Sequence, residues 1–304
     1  MSIRNPHKGQ DIWTDRQFTS KNAPSDFAPY FEQFGPDVVI FLETPFGNNL
    51  YEVAKKYGVK VVAIPMHESM TTSLNQADLM VCTCYEAWRK STHPNKRLLF
   101  LPIGRDLFEY RNRTGHTFVT NAGYGGVHDR RQVSKVTHAF EELEDPEARL
   151  IVRSQSDWWP DDLAKDARIT YIEKDYPEPS DIYEDGDISI LPLAYGGYER
   201  TVLESMLSGL PTLTTNADPM NLYQHNRDFL IEPHEIWTLN SRWVRDTDYH
   251  EVSVDDLKEK LEGLLTIDTA RYSQEARRQA EAQTWESEDI DYKSLWLETL
   301  GSLC

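Results

Sequence analysis

Cysteine is scarce: three residues, Cys82, Cys84 and Cys304, stand in a chain of 304. So few exclude a disulfide framework and a cysteine-built zinc site, and they suit a reducing cytosol. Cys82 and Cys84 fit alternate positions at a strand end better than a redox pair. Long apolar runs are missing as well; none approaches the roughly 20 residues of a membrane span. The amino-terminal MSIRNPHKGQ has no apolar core, which argues against a secretory signal and for a cytoplasmic protein. Basic charge is in deficit, with 32 Lys and Arg against 50 Asp and Glu and a net charge of −18. That balance disfavours nucleic acid as a partner, although a local basic cleft stays open. The acidity is spread along the chain, as in a well-solvated surface. There is no internal repeat and no low-complexity tract. Combinations such as His128-Asp129 lack metal-ligand spacing, so neither a metal nor a bound cofactor is expected.

What is present is an α/β rhythm. Hydrophobic residues make up 39% and charged residues 27%, and the length allows two domains of ordinary size. Residues 1–35 are polar and weakly periodic; 11–18 could be an amphipathic turn or an arm, and 28–34 a short helix. Apolar runs then predict strands at 38–42, 59–64, 77–82 and 98–101. Between them lie a loop at 43–48 and helices at 49–57, ended by Gly58, and at 85–91. A polar linker at 110–115 divides the chain into domains 1–110 and 111–304. The second half predicts strands at 116–121, 150–153, 169–172, 188–193, 211–215 and, last, 229–231. Helices are expected around 133–140, at 181–183 and 201–208, at 255–265 and at 273–297. The adjacent Trp158 and Trp159 could stack on a base or a sugar, but packing between helix and sheet is the commoner use.

Two turns carry the chemistry. In the first, the strand at 116–121 runs into Gly123-Tyr124-Gly125-Gly126, then Asp129-Arg130-Arg131 and a helix. In the second, residues 188–193 run into Ala194-Tyr195-Gly196-Gly197-Tyr198-Glu199-Arg200, a helix from Thr201, and Gly209. Strand, glycine loop and helix in this order put backbone N–H groups and a positive helix end where an anion can sit. Such units also occur in α/β proteins that bind no phosphate, and paired arginines at a helix start can be ordinary solvent-facing residues.

The fuller pattern resembles the retaining GT-B glycosyltransferases of the glycogen-synthase-like family often called family 4. Glu204-Ser205-Met206-Leu207-Ser208-Gly209-Leu210-Pro211 matches the second half of its donor motif. His67 after a strand, Ala77-Asp78, Pro102-Ile103-Gly104-Arg105-Asp106 and Thr284-Trp285-Glu286 follow in the family's order. The resemblance covers roughly residues 37–300 and implies two Rossmann-like domains facing across a cleft. The first domain is expected to be reduced, because nothing before Val38 resembles the family's opening strand and glycine-rich loop.

The implied activity is transfer of a sugar from a nucleoside diphosphate sugar to an acceptor hydroxyl, with retention. The acceptor would be a glycan, a small molecule or a modified DNA base. Arg130 or Arg131 takes the place of the family's phosphate-gripping lysine; the sequence does not separate the two. Arginine suits the task, being always charged and able to bind phosphate in a bidentate way. Donor-binding residues are expected to be Gly125, Gly126, Arg130, Arg131, Gly196, Gly197, Tyr198, Arg200, Thr201 and Glu204. Glu204 would accept hydrogen bonds from the ribose; it could also be a helix-surface residue. The catalytic assignment is His67, facing the sugar, with Arg131 and Glu199. His67 could equally be a satisfied histidine at a strand end. One departure stands out: the family's first glutamate, which contacts the transferred sugar, falls on Gly196. Either Glu199 reaches in from a rearranged loop, or the sugar is held differently. A non-catalytic nucleotide-sugar-binding or scaffold module is therefore an alternative, and a sugar-nucleotide epimerase a weaker one.

Overall fold

The computed structural model describes residues 27–42, 49–123, 129–157, 159–176, 178–241 and 244–303. The loop expected at 43–48, the stretch 11–18, Gly125, Gly126, Trp158 and Cys304 lie outside the described residues. The chain divides into two compact units, one of Met1–Leu101, Ser241–Arg245 and Lys293–Cys304, the other of Pro102–Asn240 and Asp246–Tyr292.

In the first unit α1 (Ala28–Phe34) leads to β1 (Val38–Leu42), α2 (Leu50–Tyr57), β2 (Lys60–Ile64), β3 (Leu79–Cys82), α3 (Tyr85–Lys90) and β4 (Lys96–Leu98). The strands form a parallel sheet in the order β1-β2-β3-β4. Leu50, Val53 and Ala54 recur at helical spacing and are the buried face of α2. Gly58, at φ 71°, ends that helix in the left-handed region. β4 lies two residues earlier than its apolar run suggested. Its register is set by β3, with Met80 opposite Lys96 and Cys82 opposite Leu98. Cys84 has left the strand: its sulfur accepts from the amide of Ala87 and caps α3.

The second unit runs through β5 (Thr117–Gly123), α4 (Val133–Glu141), β6 (Arg149–Ser154), β7 (Ile169–Glu173), β8 (Ile188–Leu191), α5 (Arg200–Leu207), β9 (Thr212–Thr215) and β10 (Leu230–Ile231). Its sheet is parallel, in the order β10-β9-β8-β5-β6-β7. The chain thus winds outward from β5 in one direction and returns to start again at β8. Ligands of such sheets bind at the carboxyl ends of the strands flanking this switch. Both faces are covered, so the strands read as continuous apolar runs. Phe118, Val133, Phe140 and Leu150 pack on one face; Val119, Leu191, Val202 and Met206 pack on the other.

Three expectations are corrected. The strand at 230–231 is not the last: β11 (Glu235–Leu239) and β12 (Thr247–Glu251) follow as an antiparallel hairpin. After α6 (Val254–Leu264), the helix expected over 273–297 is two, α7 (Thr269–Glu281) and α8 (Tyr292–Gly301). The chain leaves helix there because Thr284 bridges to Ile103 and the amide of Trp285 donates to the carbonyl of Ile103. Residues 110–115 are no free linker. The Arg113 side chain is buried and donates to the carbonyls of Tyr183, Glu184, Gly186 and Ser208. Residues 102–110 group with the second unit, where Ile103 and Phe108 join the core.

Candidate functional site at the amino end of α5

The second unit gathers charge where α5 begins. Glu199 precedes the helix at φ 46°, a left-handed conformation, and is 8% exposed. Its carboxylate turns back over Gly196: a Cβ built on residue 196 would lie 1.1 Å from Glu199 Oε1. The Glu199 carboxylate thus fills the space that a side chain at 196 would take, and any such side chain would have to displace it. Arg131 Nη1 donates to Thr201 Oγ1 at 3.0 Å and lies 3.9 Å from Glu199 Oε2. Arg200 Nε lies 3.8 Å from Glu204 Oε1, and the Tyr183 hydroxyl donates to Glu204 Oε2 at 2.7 Å. The Nε atoms of Arg131 and Arg200 are buried without a hydrogen-bond partner. Gly196, Gly197 and Tyr198 are all buried. The Tyr198 carbonyl accepts from the Tyr223 hydroxyl at 3.0 Å, which fixes the loop from below.

Burial governs the titration of this cluster. It pushes the Glu199 carboxyl up, against the pull of Arg131 and then Arg130. It pushes the Arg131 guanidinium down, with the like charge of Arg130 adding to the effect. The Tyr183 hydroxyl is raised well above its ordinary value, first by burial and then by Glu204. Cations at the amino end of a helix oppose its dipole, so Arg131 and Arg200 are held where an incoming anion would relieve them.

Arg131, Glu199, Arg200, Thr201 and Glu204 thus converge. Arg130 follows the chain into the same turn, and its carbonyl accepts from the Ala194 amide at 2.8 Å. His67 lies in the first unit, 3% exposed, opening a short 3-10 turn, with Nδ1 3.6 Å from Glu68 Oε2. Trp159 packs against the core, edge-on to Tyr171, rather than standing open. Two participants had no sequence signal. Tyr183 reaches Glu204 from the crossover before β8. Asn121, at the carboxyl end of β5, is 4% exposed with neither amide atom hydrogen-bonded.

Residues 122–242 match the family described as Glycosyl transferases group 1. On this match the chain is a glycosyltransferase. The matched stretch contains Arg131, Tyr183, Glu199, Arg200, Thr201 and Glu204, and begins just after Asn121. No curated protein matches the chain by sequence. Among solved structures, sucrose-phosphate synthase from Thermosynechococcus elongatus is similar over 93% of this chain and 77% of its own, at TM-score 0.66 and 13% identity. A glycosyltransferase from Rickettsia africae is similar over 90% and 79%, at 0.64 and 12%. The pneumococcal O-GlcNAc transferase GtfA, solved with UDP and GlcNAc, is similar over 91% and 59%, at 0.58 and 14%. The fold around the glycosyltransferase domain is GT-B, with two Rossmann-like units. Among the described residues no helix is long and apolar enough to cross a membrane.

Proposed function

We propose that this glycosyltransferase moves a sugar from a nucleoside diphosphate sugar to an acceptor hydroxyl, with retention at the anomeric carbon and without a metal ion. The observation that carries the reading is the Glu199 carboxylate in the space above Gly196, 3.9 Å from Arg131. It supplies an acidic group in place of the glutamate that the family carries at 196. Arg131, with Arg130, is assigned to the diphosphate, whose negative charge grows as the glycosidic bond breaks. The amides of Gly197 and Tyr198 and the start of α5 add donors, as does Arg200. Glu204, oriented by Tyr183, is assigned to the ribose hydroxyls. Glu199 accepts hydrogen bonds from the hydroxyls of the transferred sugar and so orients the anomeric carbon. The neighbour crystallised with UDP and GlcNAc supports a nucleotide-sugar partner. The first unit is read as a shortened acceptor-side domain; a glycan, small-molecule or modified-base hydroxyl would serve as acceptor.

The test is a thermal-shift screen against UDP, GDP, ADP, CDP and dTDP and their sugars, with and without EDTA. A ligand that binds only the folded chain raises its apparent stability. A shift with one nucleotide series, lost in Arg130→Ala/Arg131→Ala and unaffected by EDTA, is expected. No shift with any of them would overturn the reading in favour of a scaffold module.

A further inference from the structure

We infer that Gln132 is a positioning residue that locks the two anion-facing turns into one rigid site, with the β11–β12 hairpin as the third member of the lock. The inference rests on the function proposed above for Arg131. Gln132 opens α4 at φ 50°, in the left-handed region where glycine is free and other side chains are disfavoured. A glutamine kept there has a use for its side chain. It is 1% exposed and its amide is fully employed. Nε2 donates to the Pro192 carbonyl at 2.6 Å and to the His250 carbonyl at 3.1 Å, while Oε1 accepts from the Val252 amide at 3.0 Å.

Together with Gln132 itself, those partners bring three separate segments together. Pro192 is the root of the 193–199 loop that ends at Glu199. His250 and Val252 are the outgoing end of the hairpin. Gln132 itself is the residue after Arg131. Backbone bonds repeat the arrangement: the Ala194 amide donates to the Arg130 carbonyl, and the His250 amide donates to the Ala194 carbonyl, both at 2.8 Å. Ala194 is thereby held from both sides. Removing the Gln132 amide would leave the buried Val252 N–H without its acceptor and the Pro192 carbonyl without this donor, and would loosen the arginine turn against the glycine loop, with the Ala194–Arg130 backbone bond left to hold them. An anion binding at Arg131 would then have to order both turns itself, which weakens affinity.

The test compares the full-length chain with Gln132→Gly, which relaxes the backbone while deleting all three bonds, and with Arg131→Ala. Two readouts are used. Hydrogen exchange of peptides covering 192–199 and 247–252 needs no ligand: at least tenfold faster exchange in Gln132→Gly, with β6 and β7 unchanged, is expected. Titration with inorganic pyrophosphate at matched folded fraction is expected to show at least a tenfold weaker Kd in Gln132→Gly. Unchanged exchange at both segments would overturn the inference whether or not pyrophosphate binds. So would a lowered Tm with unchanged Kd, which is what a merely structural glutamine gives. If pyrophosphate binds neither wild type nor variants, the function proposed for Arg131 fails instead, while the exchange result still decides whether Gln132 locks the turns.

Discussion

The two ends of α5 are built from the same residue type to opposite effect. At the carboxyl end, Arg113 and Arg277 donate to the carbonyls of Ser208 and Leu207, and the Arg111 amide adds a bond to Ser208. Cations there complement the helix dipole and cap carbonyls that have no partner within the helix. At the amino end, Arg131 and Arg200 oppose the dipole and face side chains instead, Thr201 and Glu199 for Arg131 and Glu204 for Arg200. An arginine whose Nη groups are spent on backbone carbonyls, as in Arg113, holds the fold. An arginine that opposes the dipole and faces side chains, beside a carboxylate whose charge burial disfavours, is the kind that the proposed function assigns to a ligand.

Breaking the carboxyl end is expected to have the largest effect. Arg113→Ala removes a charged donor from four carbonyls and should lower stability by about 3 kcal/mol or more, given that a hydrogen bond to a charged group contributes roughly 1.5–3 kcal/mol. Denaturant titration checks this, and nucleotide affinity of the protein that remains folded should be unchanged. The amino end should behave in reverse. Arg131→Ala should cost roughly 2 kcal/mol of diphosphate affinity and little stability, read by calorimetric titration beside a melting curve. A large Tm loss with normal affinity would erase the contrast.

The next variant sharpens the amino end. Gly196→Ala places a methyl group on the Glu199 carboxylate and should cut turnover by at least about tenfold, ~1.4 kcal/mol. The exchange Gly196→Glu with Glu199→Gly should recover part of that loss, because it returns a carboxylate to the same space. If Gly196→Ala is silent, the Glu199 assignment falls.

The smallest effect lies away from α5, at an arginine that, like Arg113, donates to several backbone carbonyls. Arg168 donates to Asp166 and to the carbonyls of Leu143, Asp145 and Glu141. Its hydrogen bonds hold the Asp166 carboxyl below its ordinary value of 3.8. A carboxyl depressed in the folded state adds stability above its unfolded pKa and loses it as pH falls through the folded one. The stability difference between wild type and Arg168→Ala should therefore be constant near neutrality and shrink below about pH 4, followed by urea titration at several pH values. A gap that stays constant into acid would show that Arg168 works through the carbonyls alone.

Much of this molecule was legible in order along the chain. The apolar runs that became β1, β2, β5 to β9 and the helix stops at Gly58 and Gly209 are local signals, carried by side-chain periodicity and by backbone freedom. The turns at 123–131 and 194–200 were found for the same reason. What escaped depends on surfaces that meet far apart in sequence. The β11–β12 hairpin draws stability from the 193–199 loop, through His250 and Ala194, and its exposed β11 pattern shows no alternation to read. The break after α7 answers to Ile103, some 180 residues earlier.

The chain alone therefore determined a doubly wound second unit with arginines and a glutamate near two helix starts, because each of those features is written in short stretches. Only the tertiary structure decided that the Glu199 carboxylate occupies the space above Gly196, that Arg131 is the arginine beside it, and that Gln132 ties its turn to the next. Those outcomes follow from left-handed residues at 132 and 199 and from close packing between segments about 70 residues apart, as with Arg131 and Thr201. No local propensity encodes such distances.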